Sequence, residues 1–278
     1  MKRFLAIIIA GSVGTTALPA DAQSPQDWNI FHDTAKKAVV AYSDFDSGIS
    51  IAVRCVDRTF EALVSGLPEI EAETRQLKIR FPDDTRDHAE TWNVATNSAV
   101  AISSFPARFA RDLREGGRLD IVVPGAAEGG RNLRYVLDLP ISNAAIDETL
   151  SACNRPLIDP RDAEVEDLGP NGLPGGLEWA QRPRPRYPNT DYVRGFAVLT
   201  CLNNPDGTLR DCIVETEHPQ NGYFGVAALR GVRGARVQST EDASAALSTR
   251  FISFRNNFYL SGYEPRRPRD RPHPSIED

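Results

Sequence analysis

The sequence lacks the local signatures of the common catalytic and cofactor sites. It contains no G-x-S-x-G, H-E-x-x-H, G-x-x-x-x-G-K-[ST] or C-x-x-C pattern, and these patterns mark hydrolases, zinc enzymes, nucleotide-binding proteins and thioredoxin-type proteins. Its four histidines are scattered among polar neighbours. Acidic pairs such as Asp83-Asp84 stand outside any calcium-loop pattern. We therefore predict no catalytic residue, no metal site and no cofactor.

The sequence also lacks an excess of basic residues. Its 32 Lys and Arg stand against 38 Asp and Glu, which gives a formal net charge of −6 at pH 7. Nucleic-acid binding requires a concentrated basic surface, so we predict no nucleic-acid partner. The Arg-rich stretch 263–278 is a candidate patch for an anionic glycan or lipid, but its acidic residues balance the arginines. We expect a solvated, disordered tail there.

Long hydrophobic runs are missing as well. The N-terminus has a basic start, an apolar run from Phe4 to Ala10 and the small-x-small site Ala20 to Ala22, which is the layout of a secretory signal peptide. A membrane anchor needs about 20 continuous apolar residues, whereas Gly11-Ser12 interrupts this run. We predict that residues 1–22 are cleaved, leaving a periplasmic chain with no membrane span. An uncleaved inner-membrane anchor is the alternative.

Cysteine is scarce, with only four residues. Four cysteines in an exported chain indicate two structural disulfides, and counting alone leaves three pairings open. Two segments rich in β-branched and aromatic residues flank Asp206-Gly207, a pair that favours a tight two-residue hairpin turn. A turn centred there places Cys201 opposite Cys212, within disulfide distance.

The second predicted disulfide follows from the first, because it uses the two remaining cysteines. In Gly48 to Cys55, apolar residues alternate with small and polar ones, which is the period of a half-buried strand with Cys55 inward. Cys153 falls on the apolar face of a predicted helix that begins near Ser142. We therefore predict that Cys55 pairs with Cys153 and closes the first domain.

The composition divides the mature chain into two domains. Residues 23–154 show repeated strand alternation and two helix patterns, one of them capped at Ser103 or Ser104. Residues 155–185 are rich in Pro and Gly and are expected to form an extended linker. Residues 186–262 contain the hairpin, a helix pattern and a final strand over 249–260. The predicted fold class is α+β.

The C-terminal segment resembles a known family. The motif residues are Tyr187, Pro188, Gly195, Asp206, Gly207, Ala228 and Leu229. In this order they resemble the C-terminal domain of the TonB family, and more closely its cysteine-bearing alphaproteobacterial members labelled "energy transducer TonB". The resemblance covers roughly the last third of the chain. It implies a three-stranded antiparallel sheet with a packed helix.

The resemblance also implies a binding role for the final strand. An edge strand offers unpaired backbone groups to a partner strand, and the residues expected to meet that partner are Arg250, Phe251, Ile252 and Phe254. The partner would be a periplasmic or outer-membrane protein, or peptidoglycan. The strand would otherwise only complete the sheet, or pair in a homodimer.

We therefore expect a non-catalytic periplasmic binding protein that captures an extended peptide or an envelope component. One alternative is an anchored TonB-type energy transducer for outer-membrane transport. The missing anchor and the short linker argue against it. The other alternative is an envelope enzyme whose site forms only in the folded N-terminal domain, since catalytic triads need not be sequence neighbours.

Overall fold

The computed structural model of the chain describes residues 27–82, 89–169 and 172–262. The predicted signal peptide and the predicted disordered tail at 263–278 lie outside these ranges, as do Asp83 and Asp84. Those expectations remain predictions.

The described ranges contain fourteen strands and three α-helices. The first part comprises β1 (Asn29–Asp33), β2 (Ala38–Asp44), β3 (Ser50–Val56), β4 (Thr59–Ser65), β5 (Thr74–Arg80), β6 (Glu90–Val94), β7 (Ala101–Ile102), α1 (Pro106–Leu113), β8 (Gly117–Val123), β9 (Leu133–Leu139) and α2 (Ala144–Ala152). The second part comprises β10 (Leu177–Gln181), β11 (Arg194–Asn203), β12 (Leu209–His218), α3 (Phe224–Gly231), β13 (Arg236–Ser239) and β14 (Phe251–Tyr259).

The first nine strands form one antiparallel sheet in the order β1-β2-β3-β4-β7-β6-β5-β8-β9. The alternation in the sequence correctly predicts which side chains face inward, because Ile49, Ile51, Val53 and Cys55 are all buried. Inward residues of β5, β8 and β9 join the same core, together with the apolar residues of α1 and α2. The Cys55–Cys153 disulfide ties β3 to the end of α2, which confirms that predicted pairing.

Helix α1 begins slightly later than the sequence predicts. Its N-cap is Phe105, and no side chain caps the helix. The Ser103 hydroxyl instead accepts a hydrogen bond from the Phe105 N–H, and the Ser104 hydroxyl donates to the Thr91 carbonyl. Both predicted caps therefore stabilise the turn before the helix and its contact with β6.

The C-terminal part builds a second, three-stranded sheet in the order β12-β11-β14. Helix α3 covers one face of this sheet with Phe224, Ala227 and Ala228. On the other face, Phe196 and Val198 pack against residues of the large sheet and of the segment that follows it, including Ile102 and Leu168. The two sheets therefore share a continuous apolar contact.

The predicted fold class, α+β with a TonB-like C-terminal domain, is wrong. The protein is mainly β, with a nine-stranded antiparallel sheet, and the three helices of the described ranges have only eight, nine and eight residues. The error has a physical cause. The prediction gave each strand one buried face, whereas β11 is buried on both faces from Phe196 to Cys201, so its sheet packs against a second sheet rather than forming a separate α+β unit.

The hairpin of β11 and β12 has the predicted disulfide but a different turn. Cys201 is bonded to Cys212, and Leu199 lies opposite Val214. The turn, however, closes with a hydrogen bond from the Asn204 N–H to the Thr208 carbonyl at 2.8 Å. It therefore encloses three residues, with Gly207 at φ +80°, and two register shifts along the pair compensate for the extra residue.

Segment 155–185 is more ordered than a linker. Leu168, Leu173 and Leu177 are buried, and β10 pairs with β13 as a separate two-stranded sheet. The Trp179 ring packs edge-on against Phe254, with ring centroids 5.1 Å apart. The described residues of the segment include a short 3-10 helix, Pro160–Ala163, and the leucines between the Pro and Gly residues anchor the segment to the core.

Candidate functional site

The final strand does not offer the docking surface that its sequence predicts. Ile252 and Phe254 are fully buried, and Arg250 forms a salt bridge with Glu166 at 2.5 Å. Phe251 is half-buried. A partner strand could therefore reach none of the apolar side chains freely.

The outer edge of β14 is also partly covered by backbone. The Arg255 N–H donates a hydrogen bond to the Gly172 carbonyl at 3.3 Å, and that N–H faces away from β11. Strand addition requires a run of unpaired backbone groups, and this contact interrupts the run at the middle of the strand.

The motif residues behind the family resemblance have structural roles. The Tyr187 ring packs edge-on against Phe224, and its hydroxyl donates to the Tyr192 carbonyl. A Cβ on Gly195 would lie 2.2 Å from the Phe224 ring, so only glycine lets β11 approach the helix this closely.

The other motif residues also support the fold around α3 and the hairpin turn. Asp206 accepts a hydrogen bond from the Thr208 N–H and stabilises the turn. Ala228 is fully buried and Leu229 is 38% exposed. Pro188 lies beside α3 and lines a groove together with residues of that helix. These roles are local and do not by themselves imply a function.

A groove beside α3 carries several exposed arginines. Extended segment 182–189 forms one wall and α3 forms the other. Arg184, Arg186 and Arg230 line the groove, which has a volume of about 850 Å³. We call it the arginine groove.

Two contacts hold the walls of the arginine groove together. The Arg184 N–H donates to the Gly231 carbonyl at 2.9 Å, and Pro185 packs directly on Gly231, where a Cβ would meet its ring nitrogen at 2.4 Å. Because Pro185 faces the helix, the arginines on either side of it point away from this contact and are exposed. The backbone of this segment is therefore held against α3, while its arginine side chains are exposed to solvent.

The arginines of the groove carry exposed positive charge. Arg182 and Arg233 are also exposed, and both lie toward the C-terminal end of α3, where Gln181 pairs with Arg236. Over the residues that the structure describes, none of these five arginines takes part in a salt bridge (Arg182, Arg184, Arg186, Arg230 and Arg233). Tyr223 and Val226, 59% and 45% exposed, add apolar surface to the same groove.

The sequence offered a signal for this groove that charge counting overlooks. In QRPRPRYP the arginines alternate with prolines, and an extended backbone presents alternate residues on one side. The overall charge is negative, yet this segment concentrates positive charge locally. The contribution of α3 depends on tertiary packing and has no local signature.

A hydrogen bond between His218 of β12 and Glu61 of β4 joins the two sheets. The His218 Nδ1 lies 3.0 Å from the Glu61 carboxylate, which also accepts a hydrogen bond from the Arg54 Nε at 2.7 Å. Glu61 is fully buried. The opposite nitrogen, Nε2, is buried, and no group among the described residues forms a hydrogen bond with it.

His218 and Glu61 are the residues to compare with the alternative prediction of an envelope enzyme, because they place a histidine beside a carboxylate. A nucleophile–base pair requires the two side chains within hydrogen-bond reach. No serine, threonine or cysteine of the described ranges donates to His218 Nε2, and the four cysteines are held in disulfides. Among these residues, no group of three or more metal-ligating side chains comes together either.

Burial also perturbs a neighbouring acid on β12. Burial raises the pKa of the Glu217 carboxyl, and hydrogen bonds from the Gly225 and Tyr223 N–H groups oppose that rise. The nearby Glu61 carboxylate raises it further. Glu217 therefore caps the start of α3, although burial makes its charged form less favourable.

The disulfides, and the absence of a long apolar helix in the described part of the chain, are compatible with a secreted or periplasmic protein. No family model, no curated protein and no solved structure matches this chain.

Proposed function

We propose that this protein is a non-catalytic binding protein of the bacterial periplasm, and that it captures an acidic segment of another envelope protein in the arginine groove. The observation that carries the proposal is the set of exposed arginines without salt bridges around that groove. An arginine guanidinium binds a carboxylate through two parallel hydrogen bonds. A row of such groups in an acidic protein favours a partner of opposite charge.

The apolar residues of the groove favour a protein partner over a free anion. Arginine and tyrosine are the residues most enriched at the energetic centres of protein interfaces. Here Tyr223 and Val226 stand exposed between Arg186 and Arg230. A partner segment that alternates acidic and apolar residues would match both features.

The periplasmic location rests on the N-terminal sequence and on the disulfides. Disulfides persist in oxidising compartments; one bond joins β3 to the end of α2 and the other joins β11 to β12. The signal-peptide layout supplies the export route. We include the location in the proposal on these two grounds.

The proposal can be tested with a short peptide that alternates Glu with Phe, titrated against the full chain by fluorescence anisotropy. Exposed ion pairs contribute about 0.2–1 kcal/mol each, so the double variant Arg184→Ser/Arg230→Ser should bind roughly two- to thirty-fold more weakly. Both side chains are exposed, and neither forms a salt bridge with a residue in the described ranges, so the variant should fold normally.

The matched control makes the same change in charge elsewhere. Lys36→Ser/Arg131→Ser removes two exposed cations from loops that connect strands of the large sheet and should change the affinity less than about twofold. Equal losses in the two variants would mean that only net charge matters. Equal binding of a Lys-Phe peptide, or tighter binding of anionic lipid vesicles than of the acidic peptide, would also contradict the proposal.

A further inference from the structure

A small pocket adjoins the arginine groove at the start of α3. Phe60 of β4 and the two-residue turn before that strand line it from the large sheet, and Val214 of β12 lines it together with the first residues of α3. Its volume is about 230 Å³. Pockets that hold drug-sized ligands measure roughly 300–1,000 Å³, so this one has room for a single large side chain. We call it the turn pocket.

Two exposed side chains belong to both sites. Tyr223 and Val226, which are 59% and 45% exposed, line the turn pocket as well as the arginine groove. A chain segment that lies in the arginine groove therefore reaches the turn pocket by crossing these two side chains.

The acidic residues of the turn pocket already have partners. The three contacts pair Asp57 with the Lys37 ammonium group, Glu215 with the Arg161 guanidinium and Glu217 with the Gly225 N–H. Arg155 donates to the Val214 carbonyl at 2.7 Å, and the nearby Glu215 carboxylate favours its charged form. Because these charges are compensated within the protein, the turn pocket favours an uncharged, apolar occupant.

Arg58 is the remaining charged residue of the turn pocket. It is exposed and forms no salt bridge with a residue in the described ranges. It is the second residue of the turn between β3 and β4, at φ +73°, where glycine is favoured. Asp57, Asn221 and Tyr223 also have positive φ and line the same pocket. Strained residues of this kind cluster at ligand-binding sites.

We propose that the turn pocket binds an aromatic side chain of the same partner segment whose acidic residues occupy the arginine groove. The inference rests on the proposed function and specifies the apolar part of the partner's motif. An aromatic ring suits the pocket better than an aliphatic side chain, because it can pair with the exposed Tyr223 ring and attract the Arg58 guanidinium to its face.

The experiment compares two labelled acidic peptides by fluorescence anisotropy with the full chain. One peptide carries a single Phe among Glu and Ala residues, at the position that gives the tightest binding, and the other has Ala there. The Phe peptide should bind at least about tenfold more tightly, because its ring is removed from water in the turn pocket.

A variant of the turn tests the contribution of Arg58. Arg58→Gly should weaken binding of the Phe peptide about two- to fivefold and weaken binding of the Ala peptide less. Glycine adopts positive φ without strain, so this variant should fold normally. The matched control, Lys36→Ser, removes an exposed cation from the turn between β1 and β2 and should affect both peptides equally.

The position of the aromatic ring is measured by NMR on the complex. Nuclear Overhauser effects between the Phe ring protons and the Val214 methyl groups are expected, since Val214 lines the turn pocket and not the arginine groove. Effects to the groove residue Tyr187, with none to Val214, would overturn the inference.

The affinities also separate this inference from the proposed function. Equal binding of the Phe and Ala peptides, with both still weakened by Arg184→Ser/Arg230→Ser, would overturn the inference and leave the proposed function intact. Binding of both peptides that Arg184→Ser/Arg230→Ser leaves unchanged would refute the proposed function, and this inference with it.

Discussion

Removing the Cys55–Cys153 disulfide should destabilise the protein more than removing the Cys201–Cys212 disulfide. The perturbation is a pair of double variants, Cys55→Ala/Cys153→Ala and Cys201→Ala/Cys212→Ala. Three of these residues are buried and each variant deletes two sulfur atoms, so the direct packing losses are similar. The difference therefore reports mainly the size of the loop that each bond closes.

The loops differ greatly in length. Cys55 and Cys153 are 98 residues apart, whereas Cys201 and Cys212 are 11 apart. On the chain-entropy relation, the larger loop contributes about 4.7 kcal/mol and the smaller about 2.8 kcal/mol. The expected difference between the variants is thus about 2 kcal/mol, which corresponds to roughly 4–8 °C in Tm for a chain of this size.

The assay is equilibrium unfolding in guanidinium chloride, monitored by tryptophan fluorescence and by circular dichroism under identical conditions. Both variants should lose stability, with the larger loss for Cys55→Ala/Cys153→Ala. An equal loss, or a larger loss for the hairpin variant, would refute the reasoning, because it would show that local strand geometry outweighs the restriction of the unfolded chain.

Two further predictions concern the helix α3 and its surroundings. Gly195→Ala should destabilise the fold by about 1–3 kcal/mol, because its Cβ would overlap the Phe224 ring, while Gly175→Ala, which meets nothing within 4 Å, should be near neutral in the same thermal melts. An acid with a raised folded pKa stabilises the fold at low pH and loses that contribution as pH rises, so Glu217→Gln should become more stable relative to the unmodified protein as the pH rises above the ordinary carboxyl pKa of about 4.3. A pH-independent difference between Glu217→Gln and the unmodified protein in denaturant titrations would contradict the second prediction.

The sequence predicts individual strands well because their signal is local. Alternation over Gly48 to Cys55 identifies β3 and the inward side of Cys55, and it also narrows the choice of disulfides. The hairpin turn is less predictable. Asp211 adopts φ +49° next to a register shift, and a bulge of this kind leaves no composition signal that distinguishes it from a regular pair.

The packing of the two sheets could be predicted in part from the sequence. The run from Phe196 to Leu199 is apolar without alternation, which is typical of a strand buried on both faces. That pattern indicates a second layer over β11. The residues that cover this face of β11 could not be predicted. Phe196 packs in one cluster with Ile102, which is far away in the chain, and no local sequence pattern indicates that contact.

The candidate sites depend on the same long-range contacts. His218 and Glu61 are 157 positions apart, and neither stands in a recognisable motif. The final strand does lie at the edge of its sheet, but its side chains Ile252 and Phe254 are buried, and composition alone does not tell a buried side chain of an edge strand from an exposed one. Only the buried environment distinguishes the two.

The measurement that tests the central claim most directly is a chemical-shift map of the full chain with the acidic Glu-Phe peptide, recorded on the arginine Nε–Hε signals and the backbone amides. We predict that the signals of Arg184, Arg186 and Arg230 shift saturably, together with the amides of α3. Shifts confined to the amides of β14, from Phe251 to Tyr259, with the groove signals unmoved, would contradict this account and would favour strand addition instead.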